Sequence, residues 1–233
     1  MDSVSGVGVL DKSVAVLAAL SEHGPLSLAD LVTATGLSRP TAHRLAVALE
    51  VHGMVGRDDA GRFRLGLRLL AWGTQANEAS GMVEVARLVL DGLRDRTGES
   101  AQLYVREDGN RVCVASAERP SGLRDTVPVG AVLAVDRGSG GKVLQAWGDG
   151  PMGGASTRAE LSAIRARGWA ASVADREPGV ASVSAPILDG SGRLLAAISV
   201  SGPIDRFGPE PGRRFAEAVV AAARDLERRA GLS

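Results

Sequence analysis

The sequence predicts an α+β protein in two parts: a small N-terminal unit of three helices and a β-hairpin, then a larger unit of mixed helices and strands. Three observations carry this reading. Apolar residues recur at helical spacing through the first fifty positions, in runs punctuated by glycine, proline and serine. Two alternating segments around an Asp/Gly turn follow. Beyond residue 80, strand-like runs mix with helices but lack the strict alternation of a parallel sheet. A chain of 233 residues is long enough for two domains, and 45% hydrophobic with 23% charged residues is the profile of a globular protein with a core.

Element by element, Leu10, Val14, Leu17 and Ala18 mark one face of a first helix over 9–20, stopped by His23-Gly24-Pro25. Ser27 reads as an N-cap, with Asp30 three residues on, and Gly36 ends that short second helix. Ser38 is expected to cap a third helix carrying Pro40 in its first turn, where a missing N–H costs little. Ala42, Leu45, Ala46 and Leu49 turn inward. Met54 to Arg57 and Arg62 to Leu65 form the hairpin around Asp58-Asp59-Ala60-Gly61. Leu67, Leu70, Ala71 and Thr74 define a helix leading away, and 75–81 reads as a small, polar junction.

The second part opens with a helix over 83–96, with Val85, Leu88, Val89 and Leu93 inward. Strands are expected at 101–105, 111–117, 123–129, 169–173, 181–187 and 194–201. Gly138-Ser139-Gly140-Gly141 opens a helix running to Trp147. Further helices span 157–167 and the C-terminal stretch bearing Phe215, Val219, Ala222 and Leu226. The expected boundaries are 5–66, 67–80 for a linker helix, and 81–233.

Composition narrows the function. Net charge is zero, yet Arg39, Arg44, Arg57, Arg62, Arg64 and Arg68 face only Glu50, Asp58 and Asp59 in the stretch 38–68. That local positive excess suits a nucleic-acid footprint or a merely solvated face. No apolar run reaches the ~20 residues of a membrane span, and no signal sequence opens the chain, so a cytoplasmic place is expected. The one cysteine, Cys113, excludes an internal disulfide and a thiol-rich zinc site, and it reads as a packed core thiol rather than a sensor. All three histidines, His23, His43 and His52, lie in the first part, leaving none for a Ser–His dyad or a His metal site in the second. The turn before Lys142 has Asp136 where a phosphate loop needs its first glycine. No metal, no cofactor and no catalytic residue is expected.

The helix, glycine turn, helix and hairpin form a winged helix-turn-helix pattern. The N-terminal half of its third helix is the part that enters a major groove. Ser38, Arg39, Pro40, Thr41, His43 and Arg44 are the candidate contacts there, Arg44 to guanine or phosphate and the hydroxyls to phosphates or base edges. Arg57, Arg62 and Arg64 on the wing are placed for phosphates or the minor groove. The same module can instead serve protein contacts.

At Leu37-Ser38-Arg39-Pro40-Thr41-Ala42-His43-Arg44-Leu45 and Gly61-Arg62-Phe63-Arg64-Leu65-Gly66 the chain resembles the IclR family of bacterial regulators. The resemblance continues through Gly138-Ser139-Gly140-Gly141-Lys142, Gly168-Trp169, Glu177-Pro178-Gly179-Val180, Ser184-Ala185-Pro186 and 197–203. The segments 98–104 and 121–130 are similar to the actinobacterial branch regulating leucine and other amino-acid metabolism. The resemblance implies a winged helix joined to a GAF-like (profilin-like) effector domain, assembled as a homodimer or homotetramer on a pseudo-palindromic double-stranded DNA operator, most simply as a repressor. It further implies a small-molecule effector, an amino acid or small carboxylate, held by Ser139 and Gly140 on the floor, by Ser172, Ser182, Ser199 and Ser201 on strands, and by an apolar wall of Leu133 and Val135. Some members carry an acid at Ser172 and a cysteine at Ser182. Backbone N–H groups at a helix start favour an anion, and serine hydroxyls complete the site with no lysine or arginine needed. Read as residues alone, Ser199 and Ser201 serve equally as small core-facing side chains. Asp175-Arg176-Glu177 is expected to be an exposed salt-bridged loop rather than a lid, and Lys142 a surface helix residue. The other reading of the whole is a small-molecule carrier or enzyme with an appended winged-helix module.

Overall fold

The computed structural model describes residues 5–78, 81–107, 109–148 and 156–232. Two compact units divide between Ala79 and Ser80.

The first unit runs α1 (Gly8–His23), α2 (Leu28–Thr35), α3 (Arg39–Val51), β1 (Val55–Arg57), β2 (Phe63–Leu65) and α4 (Leu67–Glu78). Its local signals act as the sequence suggests. The Ser27 hydroxyl accepts the Asp30 N–H at 3.2 Å, and the Asp30 carboxylate accepts the Ser27 N–H at 3.3 Å, closing a capping box. Gly36 ends α2 at φ +66°, a conformation that costs a β-carbon but not glycine, and its N–H donates to the Val32 carbonyl. β1 and β2 pair antiparallel from Val55↔Leu65 to Arg57↔Phe63, and Leu26 adds a bridge to Phe63. Val16, Leu20, Leu31, Ala42, Leu45, Leu49, Val55 and Phe63 form the core.

Three expectations here need correction. Val16, Ala19 and Leu20 are the buried face of α1, whereas Leu10, Val14 and Ala18 are exposed. The helix is apolar nearly all round, so its packing partners, not its pattern, choose the face. Ser38 holds the N-cap position of α3, yet its hydroxyl donates to the Thr41 hydroxyl at 2.9 Å and caps no backbone N–H. The supposed junction is mostly helix: α4 runs to Glu78 and the next helix starts at Gly81. Residues 79 and 80, with the side chain of Thr74, lie outside the described residues.

The second unit contains α5 (Gly81–Thr97), β3 (Ser100–Glu107), β4 (Asn110–Ala117), β5 (Val132–Ala134), α6 (Gly138–Trp147), α7 (Arg158–Arg167), β6 (Ala170–Val173), β7 (Val180–Leu188), β8 (Leu194–Pro203), α8 (Ile204–Phe207) and α9 (Pro211–Arg229). Its six strands form one antiparallel sheet in the order β5-β4-β3-β8-β7-β6. One sheet face, with Leu103, Val183, Ile198 and Val200, packs on α5 and α9. The opposite face, with Tyr104, Cys113 and Ala197, packs on α6 and α7 through Val143, Leu144, Leu161 and Ile164.

The strand expected at 123–129 does not form. Pro120 and Pro128 lack the N–H a ladder needs, and Gly122 and Gly130 turn the chain at positive φ. The segment rejoins β4 at Gly130 and Ala131, which exchange hydrogen bonds with Cys113, and continues as β5 with Arg111↔Leu133. Leu88, expected inward, is 68% exposed, because α5 buries the Val83, Ala86, Leu90 and Leu93 seam instead.

Candidate functional site

In the first unit, α3 presents Arg39, Pro40, His43 and Arg44 to solvent, opposite the buried Ala42, Leu45, Ala46 and Leu49; Thr41 is half-buried. Among the described residues, no hydrogen bond or ion pair within the chain engages the side chains of Arg39, His43 or Arg44. These are uncommitted donors on the N-terminal half of a helix that stands beside a β-hairpin.

The wing arginines differ. Arg57 Nε donates to Glu50 Oε1 at 3.1 Å, Nη1 donates to the Gly61 carbonyl, and the guanidinium lies 4.2 Å over the Phe63 ring. Arg62 pairs with Asp58 at 2.7 Å, and Asp58 also accepts the Arg62 and Ala60 N–H groups, which hold its carboxyl below the ordinary range. Arg64 donates to the carbonyls of Arg57 and Leu65. The Arg57–Glu50 and Arg62–Asp58 pairs are surface contacts, weak enough to be exchanged for phosphate.

In the second unit the Gly138–Gly141 turn starts α6 directly beneath the inner face of the sheet. Ser139 is buried there. Its N–H donates to Ser172 Oγ at 3.1 Å, and its Oγ lies 2.7 Å from both Ser182 Oγ and Ser184 Oγ. Ser172 and Ser182 are 2.9 Å apart, as expected of the directly paired Ser172↔Ser182 positions of β6 and β7. Ser184 donates to Ser199 at 2.8 Å across β7 and β8. Four of the five hydroxyl positions expected from sequence therefore join one ladder. Ser201 does not: it donates to Gln102 Oε1 at 3.1 Å. Val135 is buried against α6 and Leu133 is half-buried on the edge strand. A β-carbon on Gly140 would stand 3.3 Å from the Tyr104 ring, so the floor is closely fitted. A groove of about 490 Å³ opens along the edge strand β6, lined by Lys142, Trp169 and Arg213, and meets the ladder only through Ser172.

Several residues escaped the sequence reading. Ser184 links the two halves of the ladder; its alternation with Ser182 on one strand was the available signal. Arg111 is 2% exposed, lies 5.1 Å over the Tyr104 ring, donates to the Arg137 carbonyl, and leaves Nε without an acceptor. Burial lowers its pKa, opposed chiefly by Tyr104, while burial raises the Tyr104 phenol. An arginine is thus built against the turn, beside a site that the sequence alone supplies with hydroxyls and needs no lysine or arginine to complete. The Asp175-Arg176-Glu177 loop is salt-bridged as expected, but Asp175 and Arg176 are half-buried rather than exposed: Asp175 accepts the Gly138 N–H at 2.8 Å, and Arg176 Nη2 grips both Asp125 oxygens at 2.6 and 2.7 Å. Lys142 bonds Glu160 on α7 at 2.9 Å, so its ammonium ties two helices together. Cys113 is buried, and burial pushes its thiol up to about 12.

The model of the IclR helix-turn-helix domain matches residues 9–59, and that of the bacterial transcriptional regulator IclR C-terminal domain matches 74–151 and 154–228. A glycerol operon regulatory protein of Streptomyces griseus is 31% identical, over 93% of this chain and 95% of its own length. The crystal structure of the Thermotoga maritima IclR superposes with a TM-score of 0.76 at 22% identity, covering 96% of this chain and 99% of that one. An IclR homolog from Microbacterium hydrocarbonoxydans, complexed with 4-hydroxybenzoate, has a TM-score of 0.69 at 22% identity, covering 94% and 99%. No helix among the described residues is long and apolar enough to cross a membrane.

Proposed function

This chain belongs to the IclR family of transcriptional regulators, which bind DNA through the helix-turn-helix and a ligand through the C-terminal domain, and we propose how its residues divide that work. Arg44, Arg39 and His43, with Ser38 and Thr41, read an operator in the major groove. Arg57, Arg62 and Arg64 exchange their internal partners for backbone phosphates. The observation that supports this reading most is the set of uncommitted donors on the outer face of α3, next to a hairpin whose cations are only weakly paired.

The effector is a small organic acid or amino acid seated at the α6 turn, where Ser139, Ser172, Ser182, Ser184 and Ser199 present exchangeable hydroxyls. The chain acts as a cytoplasmic homodimer or pair of dimers and not as an enzyme. Exposed Leu67 on α4 and exposed Val14 on α1 support association through the first unit. Descent from the leucine-regulating branch, and thus an amino-acid effector, is part of the same proposal.

The test is a thermal-shift screen over amino acids and small carboxylates, followed by DNA titration with each hit. A ligand changes DNA affinity only by its differential affinity for the two states. At least one hit is expected to alter DNA affinity tenfold or more, a differential of about 1.4 kcal/mol. Hits that bind but leave DNA affinity unchanged contradict the coupling.

A further inference from the structure

The α6 turn already holds an anion, and that anion comes from the protein. The Gly138 N–H, first of the helix, donates to a carboxylate 37 residues away in sequence, that of Asp175. Helix starts favour negative charge because their N–H groups lack internal partners. Beside this turn lies Arg111, almost wholly buried, its Nε unpartnered and no ion pair engaging it among the described residues. Its guanidinium abuts the turn: a β-carbon on Gly138 would stand 3.2 Å from Nη2, and one on Gly141 2.8 Å from Nη1. A buried cation at the positive end of a helix calls for a counter-charge. Asp175 and Asp125 both act on it favourably through space, and Arg176 opposes it.

Asp175 is held by exchangeable contacts. Its side chain is about one-third exposed, with Lys142 Nζ 3.9 Å away. It sits in the short connection between β6 and β7, next to Ala174, the one non-glycine at positive φ among the described residues, at +54°. The same connection is pinned by the Arg176–Asp125 fork and by the Ile204 N–H donating to the Gly179 carbonyl.

We infer that Asp175 is a built-in stand-in for the effector's carboxylate, displaced when the effector binds, and that Arg111 is the counter-ion awaiting it. This rests on the reading that the α6 turn is the effector site. The ligand carboxylate takes the Gly138 N–H and faces Arg111 Nε. Asp175 turns toward Lys142 and solvent, releasing the 174–179 connection from the α6 turn while the Arg176–Asp125 fork and the Gly179–Ile204 bond still hold its far end. The two states then differ in the join between β6 and β7, a difference that a neutral ligand cannot produce.

The experiment is an amide NMR titration of the full chain with acetate and pyruvate, using acetamide and pyruvamide as uncharged controls. Wild type, Asp175→Ala, and Asp175→Ala with Arg111→Gln are compared. The expected result is that Asp175→Ala binds the carboxylates at least tenfold more tightly than wild type, with shifts at Gly138 and Ser139, that the amides produce none, and that Arg111→Gln cancels the gain. Asp175→Asn, which keeps an acceptor but not the charge, should fall between. Equal affinity in wild type and Asp175→Ala, with shifts at Gly138, overturns the stand-in and leaves the effector site in place. No shift at Gly138 or Ser139 in either protein overturns both.

Discussion

Replacing Arg44 by alanine separates DNA recognition from folding, because the structure gives its side chain no task inside the chain. It is exposed on α3, and no described hydrogen bond or ion pair is lost on truncation. Folding stability should therefore stay within about 0.5 kcal/mol of wild type, the usual range for such surface changes. A base-reading arginine contributes about 1–3 kcal/mol of discrimination. At ~1.4 kcal/mol per decade, that is roughly a 5- to 150-fold loss of affinity per half-site, with relaxed preference at one base position. Arg62→Ala makes the contrast. Its guanidinium must leave Asp58 before meeting phosphate, so the net loss is smaller and independent of sequence. Each lost phosphate contact should flatten the plot of log affinity against log salt by about 0.9. Fluorescence anisotropy on a labelled operator across a salt series measures both. Arg44→Ala binding as tightly as wild type, with unchanged sequence preference, refutes the assignment of the outer α3 face to base reading.

The ladder predicts that Ser199→Val abolishes effector response while DNA binding without ligand persists; a full response in this variant places the pocket elsewhere. Because Ser184 holds both Ser139 and Ser199, Ser184→Ala should lower unfolding stability by about 1–3 kcal/mol in a urea titration, and a neutral result removes it from the ladder's centre. Cys113, its thiol raised to about 12 by burial, stays protonated at pH 8 and should react with a disulfide reagent only on unfolding; prompt labelling of the native protein contradicts that burial. Sedimentation should show at least a dimer at micromolar concentration, weakened by Leu67→Glu on α4; a monomer with and without DNA excludes two-fold half-site reading, whose spacing is about 34–36 Å.

Local chemistry was legible in the sequence. Ser27 with Asp30, Gly36, the Asp58–Gly61 turn and the Gly138–Gly141 helix start each act within a few residues, so their signals need no tertiary knowledge. Faces of helices were less legible, since α1 and α5 carry apolar residues on more than one side and packing selects among them. The site followed the same division. The serines announce themselves by alternation on β7 and β8. Arg111 stands in an ordinary alternating strand, and only the bulge between Leu103 and Tyr104, with the return of β5, brings it under α6. Asp175 reaches Gly138, and Arg176 reaches Asp125 51 residues away, by folding alone.

Selection from a randomised duplex pool by the full chain tests most directly whether α3 reads DNA. The full chain should enrich an inverted repeat whose half-sites lie one helical turn apart, bound with an affinity that falls linearly in log–log salt plots, and Arg44→Ala should fail to enrich it. A pool left unenriched, or a repeat that Arg44→Ala enriches equally well, contradicts the claim that this chain reads DNA through α3.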